Sequence, residues 1–226
     1  MKKTLLFPAA CLTYIMGYLF FGCKKDKEVV LFPGISQSFT EEFIDFYRTV
    51  NQEKWVSKTA IEYGAMWDQG ITAGVDKGGN SYGFSAYSFT ATPYEYAGVF
   101  NYDAQTTGMN TWLITPVLFV KNGDKISFYT RADSSTNADR LMVYINKTAS
   151  TDIGKNGESF GDFNTKIIDI NPSQALNGYP KSWTKQEYIV TGIDKKSNVR
   201  FGFRYYVPPG YTSRGIGIDQ FKFETN

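Results

Sequence analysis

The chain has 226 residues, of which 42% are hydrophobic and 17% aromatic, and its formal net charge is only +2. It contains no histidine and only two cysteines, which excludes Ser/His/Asp and Cys/His nucleophile systems and imidazole sites for zinc or copper. Carboxylate, lysine or tyrosine chemistry and hard oxygen sites for calcium remain, and the mild charge argues against nucleic acid as a partner.

The first residues predict export. Lys2 and Lys3 precede an apolar stretch that ends at Gly22-Cys23 and a charged segment, which is the pattern of a secretory signal, and the cysteine resembles that of a bacterial lipobox. We expect residues 1–22 to be a lipoprotein signal peptide and Cys23 to carry lipid. There are two alternatives: an uncut signal anchor, or a cleaved signal peptide with a coincidental cysteine. In all three interpretations the chain after the signal is exported.

After a tether at residues 23–36, residues 37–226 are expected to form one domain. A short helical segment is predicted between Thr40 and Lys54, where apolar residues recur at helical spacing. From Trp67 to Tyr102 glycine, serine and tyrosine dominate, which is typical of short strands separated by turns.

The second half of the domain predicts longer strands. An apolar run is broken by Pro116. Apolar residues that recur at every second position then indicate strands at 126–131, 141–145 and 200–207. Because no helical crossover separates these runs, the strands are expected to be antiparallel.

The last strand contains a change of parity. Ile216 and Ile218 share one parity whereas Phe221 and Phe223 share the other, so a β-bulge next to Asp219 is needed to keep all four side chains inside. Bulges are frequent beside functional sites, so Asp219 is a candidate metal ligand, and a solvated aspartate at a register correction is the alternative.

Three stretches of the chain resemble a known family. Residues 111–116 read T-W-L-I-T-P, residues 139–146 read D-R-L-M-V-Y-I-N, and residues 217–221 read G-I-D-Q-F. Together they resemble the choice-of-anchor J domains of bacterial surface proteins, which are related to the cleaved adhesin modules of gingipain-type proteins. The resemblance implies an all-β jelly-roll sandwich of the galactose-binding-like or MAM-like kind. It also implies structural calcium near the two ends of the chain, with Glu41 and Asp219 as the carboxylate ligands.

Export, a lipid anchor and a sandwich fold favour a non-catalytic, surface-exposed binding module. We expect an adhesin or a glycan-binding lipoprotein of the outer membrane whose partner is a glycan or a surface or host protein. Tyrosine faces stack on sugar rings and form protein contacts, so the candidate ligand-binding residues are Tyr82, Tyr87, Tyr94, Tyr96, Tyr102, Tyr206 and Tyr211. For each of these tyrosines, packing inside the domain is the alternative.

Two other functions are the alternatives. A carbohydrate-active enzyme needs a general acid that faces a second carboxylate across a cleft, and no spacing in the sequence nominates such a pair, so no catalytic residue is predicted. The other alternative is a surface lipoprotein that acts only through protein–protein contacts or as a structural component.

Overall fold

Antiparallel strands make up nearly all the regular structure. The structure is a computed structural model that describes residues 34–62, 64–75, 79, 81–100, 108–133 and 137–226. The first half of the described chain contains β1 (Phe39–Glu41), α1 (Phe46–Asn51), β2 (Val56–Thr59), β3 (Asp68–Gln69), β4 (Gly74–Val75), β5 (Ser81–Tyr82), β6 (Ala97–Phe100) and β7 (Met109–Ile114). The second half contains β8 (Leu118–Val120), β9 (Lys125–Ala132), β10 (Leu141–Asn146), β11 (Thr165–Ile170), β12 (Thr184–Ile189), β13 (Ser197–Val207) and β14 (Gly215–Glu224).

Two sheets of six strands face each other. Sheet I has the order β12-β9-β14-β6-β3, and β1 also pairs with β14. Sheet II has the order β11-β10-β13-β7-β2, and β8 also pairs with β13. Every pairing between these strands is antiparallel. The architecture is the jelly-roll β-sandwich that was expected.

Large aromatic side chains fill the space between the sheets. Phe128 of sheet I meets Phe203 of sheet II edge to face, with ring centroids 5.0 Å apart, and Phe221 meets Trp55 in the same way at 5.1 Å. All four are buried. Edge-to-face contact is favourable for ring quadrupoles and adds to the free energy of burying each ring, so these rings hold the two sheets together.

The predicted helical segment is confirmed as α1. Asp45 is its N-cap, and the Asp45 side chain accepts a hydrogen bond from the Arg48 N–H at 3.1 Å, which satisfies one of the free donors of the first turn. Phe46 and Thr49 face the interior. A helix this short depends on such packing for its stability.

The bulge predicted in the last strand is also confirmed. The pairing of β14 with β9 shifts register between Asp219 and Lys222, and Gln220 has a φ of 51°. Ile218 and Phe221 are both fully buried, on either side of the shift. The irregular residue therefore keeps both halves of β14 directed into the core while Asp219 lies on the outer face of sheet I.

The sandwich begins before residue 37. The Gly34 N–H donates to the Asn198 side-chain oxygen at 2.9 Å, and Ile35 bridges to Leu118 beside β8. The expected signal peptide, Cys23 and the first part of the tether lie outside the described residues. None of the described helices has the length and apolar character needed to cross a bilayer.

Candidate functional site

A segment between β3 and β6 covers the outer face of sheet I. Phe84 stacks on Tyr96 with ring centroids 4.9 Å apart, and Trp183 contacts both rings edge to face. Gly217 lies beneath them, and a Cβ atom there would be 2.8 Å from Phe84. The absence of a side chain at Gly217 therefore lets the covering segment approach the sheet. We call residues 83–96 the capping segment.

Three aromatic side chains of the capping segment are about half exposed to solvent. Tyr87 is 47% exposed, Phe89 is 51% exposed and Tyr94 is 44% exposed. The eight residues from Tyr87 to Tyr94 carry three of the large exposed hydrophobic side chains found in the described part of the chain. We call residues 87–95 the aromatic loop.

Asp219 holds the start of the aromatic loop. One oxygen of its carboxylate accepts hydrogen bonds from the N–H groups of Tyr87, at 2.8 Å, and Ser88, at 3.2 Å. The other oxygen accepts from the Gln220 N–H at 2.7 Å. Asp219 is fully buried, and this burial raises the pKa of its carboxyl to about 7 even though the three N–H groups favour the ionised form.

Glu95 holds the rest of the aromatic loop. Its two carboxylate oxygens accept hydrogen bonds from the N–H groups of Thr90, Thr92 and Ala91 at 2.6 to 2.9 Å. The hydroxyls of Thr90 and Thr92 also donate to it. These donors, with the Thr90 N–H first, lower the pKa of the Glu95 carboxyl to about 2, so the carboxylate stays charged and the turn stays tied to it.

Neighbouring residues also fix the Tyr87 ring and the far end of the aromatic loop. Tyr87 stacks on Tyr129 of β9 with centroids 3.7 Å apart and planes 14° from parallel, so one face of the Tyr87 ring is covered. On the other side of the loop, the Gln69 side-chain amide donates to the Tyr94 carbonyl at 2.7 Å and to the Phe43 carbonyl at 2.9 Å. The backbone of the aromatic loop is therefore fixed at both ends, and the Tyr87 ring is oriented by Tyr129.

The other predicted tyrosines lie elsewhere. Tyr96 is fully buried, and its hydroxyl donates to the Ile71 carbonyl at 2.7 Å, so its role is packing. Tyr82 is half-buried against Phe100. Tyr211 is 47% exposed in the connection between β13 and β14. Tyr102 falls outside the described residues.

Tyr206 belongs to a second covered face, on the outside of sheet II. The Arg204 guanidinium lies 4.4 Å above the Tyr206 ring and donates to the Asn110 side-chain oxygen at 2.8 Å. Phe163 packs beside Trp112 on the same face, at 5.0 Å. The outer faces of both sheets are thus largely occupied by the protein's own residues.

The two predicted metal ligands are engaged by other groups. Glu41 is 5% exposed and accepts hydrogen bonds from the Phe43 N–H at 2.8 Å and the Thr49 hydroxyl at 3.3 Å. Burial and a hydrogen bond to the Glu53 carboxyl raise the pKa of Glu41 to about 8. Asp219 lies one strand away, two residues before Phe221, which pairs with Glu41.

Among the described residues, no group of three or more acidic, cysteine or histidine side chains converges in a way that could hold a metal ion. Backbone N–H donors already point at Glu41 and Asp219 and would repel a cation, so the pair alone does not fit a calcium cage. Calcium binding at Glu41 and Asp219 stays a prediction.

Sequence reasoning missed Glu95 and Phe89. A local signal for Glu95 exists, because Thr92 and Glu95 have the spacing of a capping box. The structure contains one half of that motif, because the Glu95 carboxylate accepts from the Thr92 N–H. The Glu95 N–H donates to the Thr92 carbonyl and not to its hydroxyl, and no helix follows. Phe89 escaped the prediction because stacking on a ligand was expected of tyrosines alone.

The fold defines the class of protein as a jelly-roll β-sandwich. No family model matches the chain, and no curated protein matches it. The fold is similar to a solved structure of the K1 cleaved adhesin domain of Lys-gingipain from Porphyromonas gingivalis W83. That likeness has a TM-score of 0.51 at 18% sequence identity and covers 84% of this chain and 99% of that one. The K3 cleaved adhesin domain of the same protein is similar at a TM-score of 0.50 and 14% identity, over 83% and 98% of the two chains.

Proposed function

We propose that the chain is a non-catalytic binding module that contacts its ligand through the aromatic loop. The observation that carries this proposal is that two buried carboxylates, Asp219 and Glu95, hold the backbone of a loop whose aromatic side chains are exposed. Exposed rings on a loop with fixed geometry lose little conformational entropy when a ligand binds. The likeness to domains described as adhesins is consistent with this function.

The ligand class that fits best is a glycan. Tyr87, Phe89 and Tyr94 offer apolar faces, the neighbouring Tyr129 and Lys185 provide polar groups, and sugar rings present both apolar C–H faces and hydroxyls. A protein partner is the second candidate, since tyrosine and phenylalanine are also enriched in protein interfaces. We further propose that the module is anchored through lipid on Cys23 at the bacterial outer membrane.

The three carboxyls whose pKa values are raised furthest are not placed to act as general acids. A general acid for glycoside hydrolysis needs a raised pKa and access to the substrate. The pKa values of Glu41, Asp139 and Asp219 are raised by burial, but these residues are 5%, 0% and 0% exposed. None of these three carboxyls can reach a glycosidic oxygen in solvent.

Affinity retention tests the proposal. The chain from Lys24 onward is passed over immobilised polysaccharides and host glycoproteins, once with calcium and once with chelator. We expect retention on one sugar class. The substitutions Tyr87→Ala, Phe89→Ala and Tyr94→Ala are each expected to weaken the affinity for that sugar by about tenfold. A tenfold loss corresponds to the loss of a contact worth somewhat more than about 1 kcal/mol. Tyr47→Ala and Phe160→Ala are matched controls, since these residues are 74% and 43% exposed but lie outside the loop.

Three outcomes would change the conclusion. Retention that the control substitutions weaken as much as the loop substitutions would show that the aromatic loop is not the contact surface. Retention on glycoproteins that persists after their glycans are removed would favour the protein partner. Hydrolysis of a polysaccharide that a single Asp or Glu substitution abolishes would overturn the non-catalytic function. The calcium prediction is tested in the same experiment, since retention that is lost with chelator would support it.

A further inference from the structure

One end of the sandwich contains a recess bordered by basic side chains. The recess has a volume of about 340 Å³ and is lined by Lys147 at the end of β10 and by Lys195 in the connection between β12 and β13. Lys196 and Arg200 lie next to it in the chain. We call these four residues the basic end.

The charges of the basic end are not neutralised by acidic partners. The Lys147 ammonium donates to the Gly192 carbonyl at 2.9 Å, and the Lys196 ammonium lies 5.0 Å above the Phe119 ring. Arg200 donates to the carbonyls of Ala149 and Thr115. Within the described ranges none of these four residues forms an ion pair.

One acidic residue, Asp194, lines the same recess. It accepts a hydrogen bond from the Asn122 amide at 3.0 Å. The lining, with two lysines and one aspartate, has a formal charge of +1, and Lys196 and Arg200 beside the recess in the chain add two more positive charges. Field lines concentrate in such recesses.

This charge contrasts with the rest of the domain. Residues 1–33 contain five lysines and two acidic residues, so residues 34–226 carry 19 basic and 20 acidic side chains, a net charge of −1. Several lysines elsewhere pair with acidic side chains, for example Lys166 with Asp169. The basic end therefore places four unpaired cations close together in a nearly neutral domain.

The chain enters the sandwich at this same end. The Gly34 N–H donates to Asn198, and β8, which lies beside Ile35, pairs with the start of β13 at Ser197. Ten residues separate Cys23 from Gly34. A chain of that length spans at most about 35 Å when fully extended, so a lipid on Cys23 would keep the basic end close to the membrane surface.

We propose that the basic end docks on the anionic phosphate head groups of the membrane that carries the chain. The proposal rests on the expected anchorage at Cys23. Each lysine near an anionic leaflet contributes on the order of 1 kcal/mol, which is enough to orient a domain that is already tethered. Asp219, which holds the aromatic loop, lies midway along β14 rather than at this end, so docking leaves the aromatic loop free for its own ligand.

Vesicle binding tests this inference without the lipid anchor. The chain from Lys24 onward is sedimented with vesicles of phosphatidylcholine, with and without phosphatidylglycerol. We expect binding only to the anionic vesicles. A triple variant is expected to bind the anionic vesicles about a hundredfold more weakly, because it loses three lysines near the membrane surface. Its substitutions are Lys147→Gln, Lys195→Gln and Lys196→Gln. The matched control replaces three exposed lysines elsewhere, Lys54, Lys155 and Lys181, by Gln and should weaken binding less than about threefold.

The basic residues of the tether are present in both variants, so their contribution cancels in the comparison. Equal weakening by the two triple substitutions, or no binding of the unchanged chain to anionic vesicles, would overturn the inference. Loss of vesicle binding in the presence of a low concentration of inorganic phosphate would show a site for free phosphate instead of a membrane surface. Retention on glycans is measured separately and does not depend on this result.

Discussion

Asp219 shows how one carboxylate can join distant parts of the chain. It comes directly before the irregular residue Gln220 in β14, and it accepts hydrogen bonds from residues more than 130 positions away in the aromatic loop. An aspartate on the outer face of a strand is ordinarily solvated. Here the capping segment removes it from water, and the three N–H donors compensate for part of the cost of burying a charge.

The substitution Asp219→Asn is expected to destabilise the domain. The amide side chain would offer only one acceptor oxygen to three N–H groups, so at least one buried donor would lose its partner, at a cost of about 1–3 kcal/mol. Urea unfolding measures this change. Asp68→Asn is the matched control, because Asp68 is exposed and, among the residues that the structure describes, accepts only from the neighbouring Gln69 N–H. An unchanged unfolding midpoint for the Asp219 variant would contradict the role assigned to its carboxylate.

Replacement of Glu95 by glutamine is expected to loosen the aromatic loop without disturbing the core. The amide of glutamine has one oxygen and no charge, so it cannot bind the N–H groups of Thr90, Ala91 and Thr92 as the carboxylate does. Hydrogen exchange should show faster exchange of these three amides and unchanged exchange in β13. Glu158→Gln, at an exposed position whose side chain makes none of the hydrogen bonds described above, should leave the loop amides unaffected.

Among the elements, the capping segment depends on close approach to β14. Gly217→Ala is expected to destabilise the domain by about 1–3 kcal/mol, the usual cost of overpacking, because the added Cβ would meet Phe84 at 2.8 Å and Tyr96 at 2.9 Å. Gly157→Ala is the control, since the nearest atom would be 3.9 Å away. Near-ultraviolet circular dichroism should change for the Gly217 variant, since Phe84, Tyr96 and Trp183 pack together there. Equal spectra and equal stability of the two variants would contradict the proposed packing.

The strands that sequence reasoning predicted are those with a strong period of two. β9, β10, β13 and β14 each bury alternate residues against the opposite sheet, and their apolar pattern shows this directly. The bulge at Asp219 could be predicted because a change of parity within one apolar strand has few structural solutions. β11 escaped prediction because, as an edge strand, it buries only Ile170 fully and its other residues are exposed or half-buried.

The aromatic loop could not be derived from local patterns. Tyr87 and Tyr96 lie in similar sequence surroundings, yet one is 47% exposed and the other is fully buried. The difference depends on whether the ring faces sheet I or solvent, which is decided by contacts with Gly217 and Trp183 far along the chain. A segment rich in glycine, serine and tyrosine carries little information about such tertiary contacts.

For the whole molecule, the buried carboxyls make stability depend on pH. Burial raises the pKa of Asp139 to about 7, that of Asp219 to about 7 and that of Glu41 to about 8, above their ordinary values of 3.8 for Asp and 4.5 for Glu. Folding therefore takes up protons at intermediate pH. These carboxyls stabilise the folded state fully when the pH is below their pKa values in the unfolded chain. This stabilisation is lost as the pH rises through their pKa values in the folded state.

The thermal midpoint of the domain is accordingly expected to be higher at about pH 5 than at about pH 8. Each proton taken up on folding lowers the free energy of unfolding by about 1.4 kcal/mol for each unit by which the pH rises. Calorimetry across this range measures the effect. Asp139→Asn should reduce the slope, because the amide resembles the protonated carboxyl, whereas Asp152→Asn at an exposed position should not. A midpoint that rises steadily from pH 5 to pH 8 would contradict this expectation.

The position of β14 has a consequence for how the protein is made. This strand is the last described element, yet it lies in the middle of sheet I between β9 and β6 and also pairs with β1. It supplies Ile216, Ile218, Phe221 and Phe223 to the interior. A polypeptide that emerges from the ribosome amino end first cannot close this core until β14 is free. The sandwich is therefore completed only after β14 has paired with β9 and β6.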